Sequence, residues 1–479
     1  MTSVQDRQGA HSADDTREPE SAGPDMTIRR PVPLLAATCA VAVGNLYFPQ
    51  AVGPLIATGL RASPDAAATV VTATQAGYTA GIVLLVPLGD RLPHRPYLLT
   101  LLSLSGLALL AAGCAPTLPL LLAASVLVGL TTIGAQIVGL LAATLVPAER
   151  RGAMIGALLS GSTGGMLLAR AFGGSLGERF GWRTPYLAAA ALVLLLVLAL
   201  ARTLPSTAPA STRERYATLL VEPLRLLRAE PHLRRSCLYQ ATVFAGFSAV
   251  WACLAFLLTG PAYGLGAEAL GLLALVGAAT MVCTPVAGRL VDRHGPDPVN
   301  LVCLVGVLIS AVLLVPGALG GPLGLTALTV GTLLLDVAMQ CGMVANQARV
   351  QALGREAHGR LRTAYMTCAY LGGSAGSWLG ARIWTQAGWW AVCALLALLA
   401  VLALTHHLVS RKHPRPAQVT GTAGQVGCDS PAPVLTPDGG AGGGRGVQNP
   451  PVSRSRSKGS GSRIAAPKGC GPSTRVYPS

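Results

Sequence analysis

Two short stretches decide how this chain is read: Val86-Pro87-Leu88-Gly89-Asp90-Arg91-Leu92-Pro93-His94-Arg95-Pro96, and Gly288-Arg289-Leu290-Val291-Asp292-Arg293-His294-Gly295. Each closes a long apolar run with an Asp-Arg pair, and each follows the second such run of its half of the chain. An acid at the end of a helix can accept hydrogen bonds from the exposed amides of a neighbouring helix N-terminus, while arginines reach carboxylates or lipid headgroups. Topology alone asks only for positive charge at such places, so the repeated acid predicts more than topology. It predicts a tandem duplication of a helical unit.

Working outward, the apolar runs on either side are long enough to be membrane spans. The chain has 479 residues, is 51% hydrophobic and only 12% charged, against about a quarter charged in soluble domains. About twenty apolar residues cross a bilayer as a helix. Runs of that kind fall near 34–58, 66–88, 97–115, 119–146, 153–176 and 184–203, and again near 236–259, 266–287, 299–318, 323–348, 363–385 and 387–408. The expected fold is an all-α polytopic membrane protein of twelve spans in two six-helix bundles, 31–203 and 236–408. A charged stretch, 204–235, joins them as a cytoplasmic linker. Residues 1–30 are polar, and 409–479 are basic and rich in Gly, Ser and Pro; both are expected to be disordered.

The formal charge of +16 resolves into topology. With the N-terminus inside, the inner loops hold Arg91, Arg95, Arg150, Arg151, those from Arg202 to Arg235, Arg289, Arg293, Arg349, Arg355, Arg360 and Arg362. The outer side holds Arg61, Arg179, Arg183 and Arg382. Positive charge stays inside, so both termini are expected to be cytoplasmic, and nucleic acid is not an expected partner. Nine of the eleven cysteines lie in or beside apolar runs without C-x-x-C spacing, as small hydrophobes rather than metal ligands. No G-x-x-x-x-G-K-[ST] or H-E-x-x-H occurs, and the histidines of the body sit in loops or at helix ends. An ATP-driven pump and a membrane-embedded enzyme therefore lack their chemistry.

Two ionisable residues fall well inside spans: Arg170 in the fifth and Asp336 in the tenth. A charge at the bilayer centre costs about 2.5–3.5 kcal/mol on insertion scales, so each needs a partner or a water-filled cavity. Asp336, Gln340, Met343 and Gln347 follow i, i+4, i+7, i+11, one helical stripe. Asn45, Tyr47 and Gln50 in the first span, Gln136 in the fourth, and Tyr239, Gln240 and Trp251 in the seventh complete the polar inventory.

The loop Gly288–Gly295 resembles the G-x-L-a-D-r-x-G-r-r signature of the major facilitator superfamily. Its first copy keeps Leu88, Asp90, Arg91 and Arg95 but has Val86 and Pro93 for the two glycines. The stretches VGNLYFPQAVGPLI, VVTATQAGYTAGIVLLVPLGDR and LLDVAMQCGMVANQARV are similar to its bacterial efflux permeases. The resemblance implies alternating access by a monomer without cofactor. It further implies a small, partly apolar substrate exported against an ion gradient, protons by expectation, with proton-coupled import as the alternative. It implies that spans one, four, seven and ten line the cavity, and that the loop residues Asp90, Arg91 and Asp292 clasp the halves. Two antiporter signatures depart from the family pattern. Ser125 stands where the fourth-helix arginine belongs, and Arg170 replaces the proline of the fifth-helix motif, here Gly165 to Gly174. Asp336, with Arg170 and Gln340, is the expected proton-coupling group.

Overall fold

The computed structural model describes residues 31–145, 151–204, 215–353 and 358–412, all of them helices and the short turns between. The expected segment 1–30 and the tail beyond 412 lie outside the described residues. In chain order the helices are α1 (Pro31–Gly59), α2 (Pro64–Leu84), α3 (Val86–Gly89), α4 (His94–Gly113), α5 (Leu118–Thr131), α6 (Gly134–Leu145), α7 (Arg151–Phe180) and α8 (Arg183–Thr203). After the charged stretch come α9 (Tyr216–Ala229), α10 (Pro231–Thr259), α11 (Glu268–Val276), α12 (Thr280–His294), α13 (Pro296–Leu314), α14 (Gly321–Gln351) and α15 (His358–Lys412).

Among the described residues nine helical stretches are long and apolar enough to cross a membrane. The count of twelve is reached by dividing the last of these at Gly388, and by adding α2 and α7. Gly388 (φ 70°, ψ −161°) breaks α15 in a conformation that glycine alone adopts freely. The 21-residue α2 is rich in Thr and Ala, and the 30-residue α7 holds eight glycines, with Arg170 in its middle, so their hydropathy is low for their length. Leu107, Leu195, Val302, Val312 and Leu398 are more than half exposed, a surface that suits acyl chains and not water.

Punctuation follows local chemistry. Proline opens α2, α5, α10 and α13 within the first two positions, where its missing N–H leaves no bond unmade. The fourth span is interrupted at Thr132 and Ile133, between α5 and α6. The eighth is interrupted by a 3₁₀ turn at Gly277–Ala279, between α11 and α12. Irregular turns of this kind inside a span mark places where the backbone can change shape.

The two halves repeat one packing scheme. α1 lies along α7, where Gly161 and Gly165 meet the carbonyl oxygens of Ala36 and Ala40. α10 lies along α15, where Gly372 and Gly376 meet those of Ala241 and Ala245 in the same way. A methyl group at any of these glycines would overlap backbone, so the helices approach as closely as small residues permit. The contacts between halves repeat as well. α2 packs on α15, with Thr72 Oγ1 2.9 Å from Ser377 Oγ, and α7 packs on α11, where Glu178 Oε2 accepts the Ala267 amide at 2.8 Å. The duplication inferred from two loops is carried by the helix contacts throughout.

The second loop is not a loop. α12 continues to His294, so Gly288, Asp292 and Arg293 ride its last two turns before Gly295 (φ 80°) reverses the chain. In the first copy α3 ends at Gly89, Asp90 follows in a turn, and Pro93 is extended before α4. The charged stretch before α10 contains α9, of whose residues half are exposed and Leu219 alone is buried, and α10 begins at Pro231, five residues before the seventh span was expected.

Candidate functional site

Small residues on α1 and α7 bring Arg170 into the middle of the molecule with no exposed surface. Its Nε donates to Gln50 Oε1 of α1 at 2.9 Å. Its guanidinium carbon lies 3.8 Å from the ring centroid of Trp251 on α10, with Tyr47 and Phe247 at 5.1 and 5.6 Å. Trp251 in turn donates its indole N–H to Asp336 Oδ1 of α14 at 3.0 Å. Arg170 and Asp336 therefore do not touch. Cation and carboxylate are held apart by one aromatic ring, which offers its face to one and its edge to the other.

The arrangement is incompletely satisfied. Nη1 and Nη2 of Arg170 and Nε2 of Gln50 are buried without a hydrogen-bond partner among the described residues. Asp336 lies beside the 3₁₀ turn of the eighth span; a methyl group on Gly277 would sit 2.7 Å from its Oδ2. A buried pair that spans both halves, with donors to spare and an irregular turn alongside, can be rearranged by a proton or by a shift of one half.

A cavity lies toward the Asp90 end of this group. Its inner part, about 140 Å³, is lined by Tyr47, Tyr78, Gln136, Gln240, Gln340 and Gln347, with methionines between. The outer part, about 370 Å³, shares Gln136, Gln347 and Arg362 and has Asp90 at its rim. Tyr365 donates to Gln240 Oε1 at 2.9 Å, and Gln136 Nε2 to the Tyr78 hydroxyl at 3.2 Å, which fix two of the lining amides. Among the described residues, the cavity opens toward the Asp90 end. At the other end the contact of α7 with α11 closes it, Gly174 and Gly271 bringing the backbones together.

The candidates divide accordingly. Tyr47, Gln136, Gln240, Gln340 and Gln347 line the cavity. Gln50 and Trp251 do not; they complete the Arg170–Asp336 group. Asn45 is buried in packing, with its Nδ2 unpartnered. Tyr239 faces away from the cavity and accepts from Arg235 Nε at 2.7 Å. Asp90 and Arg95 both have polar partners, Arg95 Nη2 reaching the Ala201 carbonyl at 2.7 Å, while Arg91 is exposed. Asp292 and Arg293 are exposed and make no ion pair among the described residues.

Two residues escaped the sequence reading. Asp297, on the first turn of α13, receives Arg235 of α10 at 2.9 Å and Arg349 of α14, and so ties three helices where Asp292 ties none. The second is Arg362. Its place at the start of a span marked it as a loop charge, yet it is exposed to both parts of the cavity. The signal was there: Arg362, Met366, Tyr370 and Gly373 fall at i, i+4, i+8 and i+11, one face of α15.

The family description "Major Facilitator Superfamily" matches residues 34–377, most of the chain. The chain belongs to the major facilitator superfamily. As such it is a multi-pass membrane transporter with bacterial relatives. The transporter YgaY of Escherichia coli (strain K12) is 33% identical over 371 residues, 78% of this chain and 93% of YgaY. A chloramphenicol resistance protein of Streptomyces lividans is 32% identical over 284 residues, 58% of this chain and 71% of that protein. Among solved structures, the nucleoside transporter NupG, at 13% identity, superposes with a TM-score of 0.65 over 80% of this chain and 99% of NupG. That likeness gives the major facilitator fold and nothing about cargo.

Proposed function

We propose that this superfamily member exports a small, partly apolar molecule by alternating access, in exchange for protons, from the cytoplasm of a bacterium. The observation that carries the reading is the Gln50–Arg170–Trp251–Asp336 chain, which joins the two halves at the closed end of the cavity. Protonating Asp336 removes the charge that Trp251 and Arg170 stabilise. Substrate entering from the Asp90 end leaves on the other side once α7 and α11 part. There Asp336 takes up a proton, the halves lose an attraction across their interface, and the empty carrier returns. Releasing that proton on the Asp90 side restores the charge and the closure, so a proton enters for the substrate that leaves.

In this reading residues 31–203 and 236–408 are the moving bundles and 204–235 is the linker between them. Both termini are cytoplasmic, and the monomer works without a cofactor. The relative from Streptomyces lividans, a resistance protein by its name, favours export over import. The clasp falls on Asp90, at the cavity rim. Reconstituted into proteoliposomes with an imposed proton gradient, the full chain should drive substrate uphill, and a protonophore should abolish the movement. In cells, on a cysteine-free background, a Cys at Thr117 should react with an impermeant maleimide and one at Ser211 should not. Uphill movement that survives the protonophore would remove the proton from the mechanism, and the reverse labelling pattern would invert the topology.

A further inference from the structure

Among the described residues, each cation at the depth of the spans has a carboxylate nearby, with one exception. Arg170 and Asp336 balance each other across Trp251, and Arg235 and Arg349 share Asp297 at the open end. Arg362 faces the cavity with no carboxylate in ion-pairing reach among the described residues; its electrostatic neighbours are the Tyr78 hydroxyl and the Cys39 thiol. Asp90, the acid at the cavity rim, has a partner of its own. Among the described residues, the inner cavity thus presents a single guanidinium to whatever enters it.

The rest of that lining is apolar and polarizable. Met166, Met343, Met366, Phe244 and Tyr370 surround the space beside Arg362, and neutral amides and hydroxyls supply the remaining polar contacts. Methionine and aromatic side chains accept flat rings in many orientations. An unpaired guanidinium in a confined site favours a planar oxyanion, which it can hold through two parallel hydrogen bonds, and it repels cations.

We propose that the cargo is an aromatic organic anion, its carboxylate received by Arg362 and its ring lodged among the methionines and aromatics of the inner cavity. This rests on the reading of the cavity as the transport path. It narrows the class of substrate, because neutral and cationic molecules would leave Arg362 unpaired or opposed.

Naphthoate and its uncharged isostere naphthamide separate the charge from the ring. Binding of each to the purified full-length chain in nanodiscs is measured by titration calorimetry, for the wild type and for Arg362→Gln and Arg362→Lys. The acid should bind at least tenfold more tightly than the amide. Arg362→Gln should reduce the acid to the level of the amide and leave the amide unchanged, while Arg362→Lys should retain most of the preference. Equal or tighter binding of the amide, binding of neither compound, or an unaltered acid affinity in Arg362→Gln would overturn the proposal. Should Arg362→Gln fail to fold, the acid-to-amide ratio in the wild type and in Arg362→Lys decides alone. Proteoliposome assays separate this from the transport reading. Arg362-dependent binding without movement under any gradient would refute the transport path, whereas gradient-driven movement of other cargo with no preference for the acid would refute only the anion.

Discussion

The contact of α1 with α7 and the contact of α10 with α15 are the same piece of construction used twice. In each, two glycines one turn apart admit the backbone of two alanines, and in each the partner helix then reaches across to the other half. Their chemistry differs. The first contact carries Arg170 and Gln50, fully buried; the second has Ala381 and Ala255 at corresponding positions. Trp251 likewise answers to Leu46, buried in the first half. Packing follows the repeat, and the charged group sits where the repeat has been broken. A duplicated scaffold supplies two surfaces that can slide, and an asymmetric charge gives the sliding a direction and a trigger.

That comparison can be broken most severely at the shared packing. Gly165→Leu and Gly376→Leu each force a side chain into backbone, where overpacking costs about 1–3 kcal/mol or more. Both should depress the melting temperature in detergent and the yield of monodisperse protein to a similar degree. A large loss in one and none in the other would mean that the two contacts are not equivalent.

A smaller effect is expected where the halves differ. Trp251→Phe keeps a ring beneath Arg170 but removes the N–H that Asp336 accepts. A hydrogen bond to a charged group is worth about 1.5–3 kcal/mol, so proton-driven turnover should fall by about tenfold or more with folding retained. Leu46→Met, a volume-conserving change at the counterpart position, should leave turnover near wild type. Equal effects at the two sites, measured as initial rates in proteoliposomes, would deny the asymmetry.

The smallest effects belong to the paired loops. Asp90→Asn should slow transport severalfold with near-normal expression, because Asp90 stands at the rim of the cavity. Asp292→Asn should stay within about twofold, since Asp292 is exposed on the last turns of α12, whereas Asp297→Asn should be the more damaging change in that half. A ranking with Asp292 above Asp90 would restore the symmetric clasp that the two loops suggest in sequence.

Much of this was legible in the sequence, for physical reasons. Apolar runs longer than a bilayer is thick announce the helices, and Asp-Arg pairs at matching places announce the repeat. Arg170 and Asp336 stood out because few charges are tolerated at that depth. What the sequence concealed is what depends on side-chain direction. Trp251 looked like one more cavity residue, and only the geometry shows its ring between the two charges. Arg362 was hidden among topogenic arginines, since charge counting treats every arginine at a span end alike. Asp297 lies five residues past the signature acid, on the next helix, where no motif points to it. The interruptions at Thr132 and Gly277 fall inside runs that are apolar enough overall to span, so hydropathy alone does not mark them.

The central claim is that Asp336 exchanges the proton, and Asp336→Asn in proteoliposomes tests it most directly. An amide keeps the size of the side chain and its bond with Trp251 but holds no titrating proton. The variant should fold, bind substrate and catalyse downhill exchange at close to the wild-type rate, yet fail to accumulate substrate against a gradient. Full gradient-driven accumulation would contradict the claim. So would a variant that does not fold while Arg170→Ala/Asp336→Ala does, for the pair would then be a structural ion pair and nothing more.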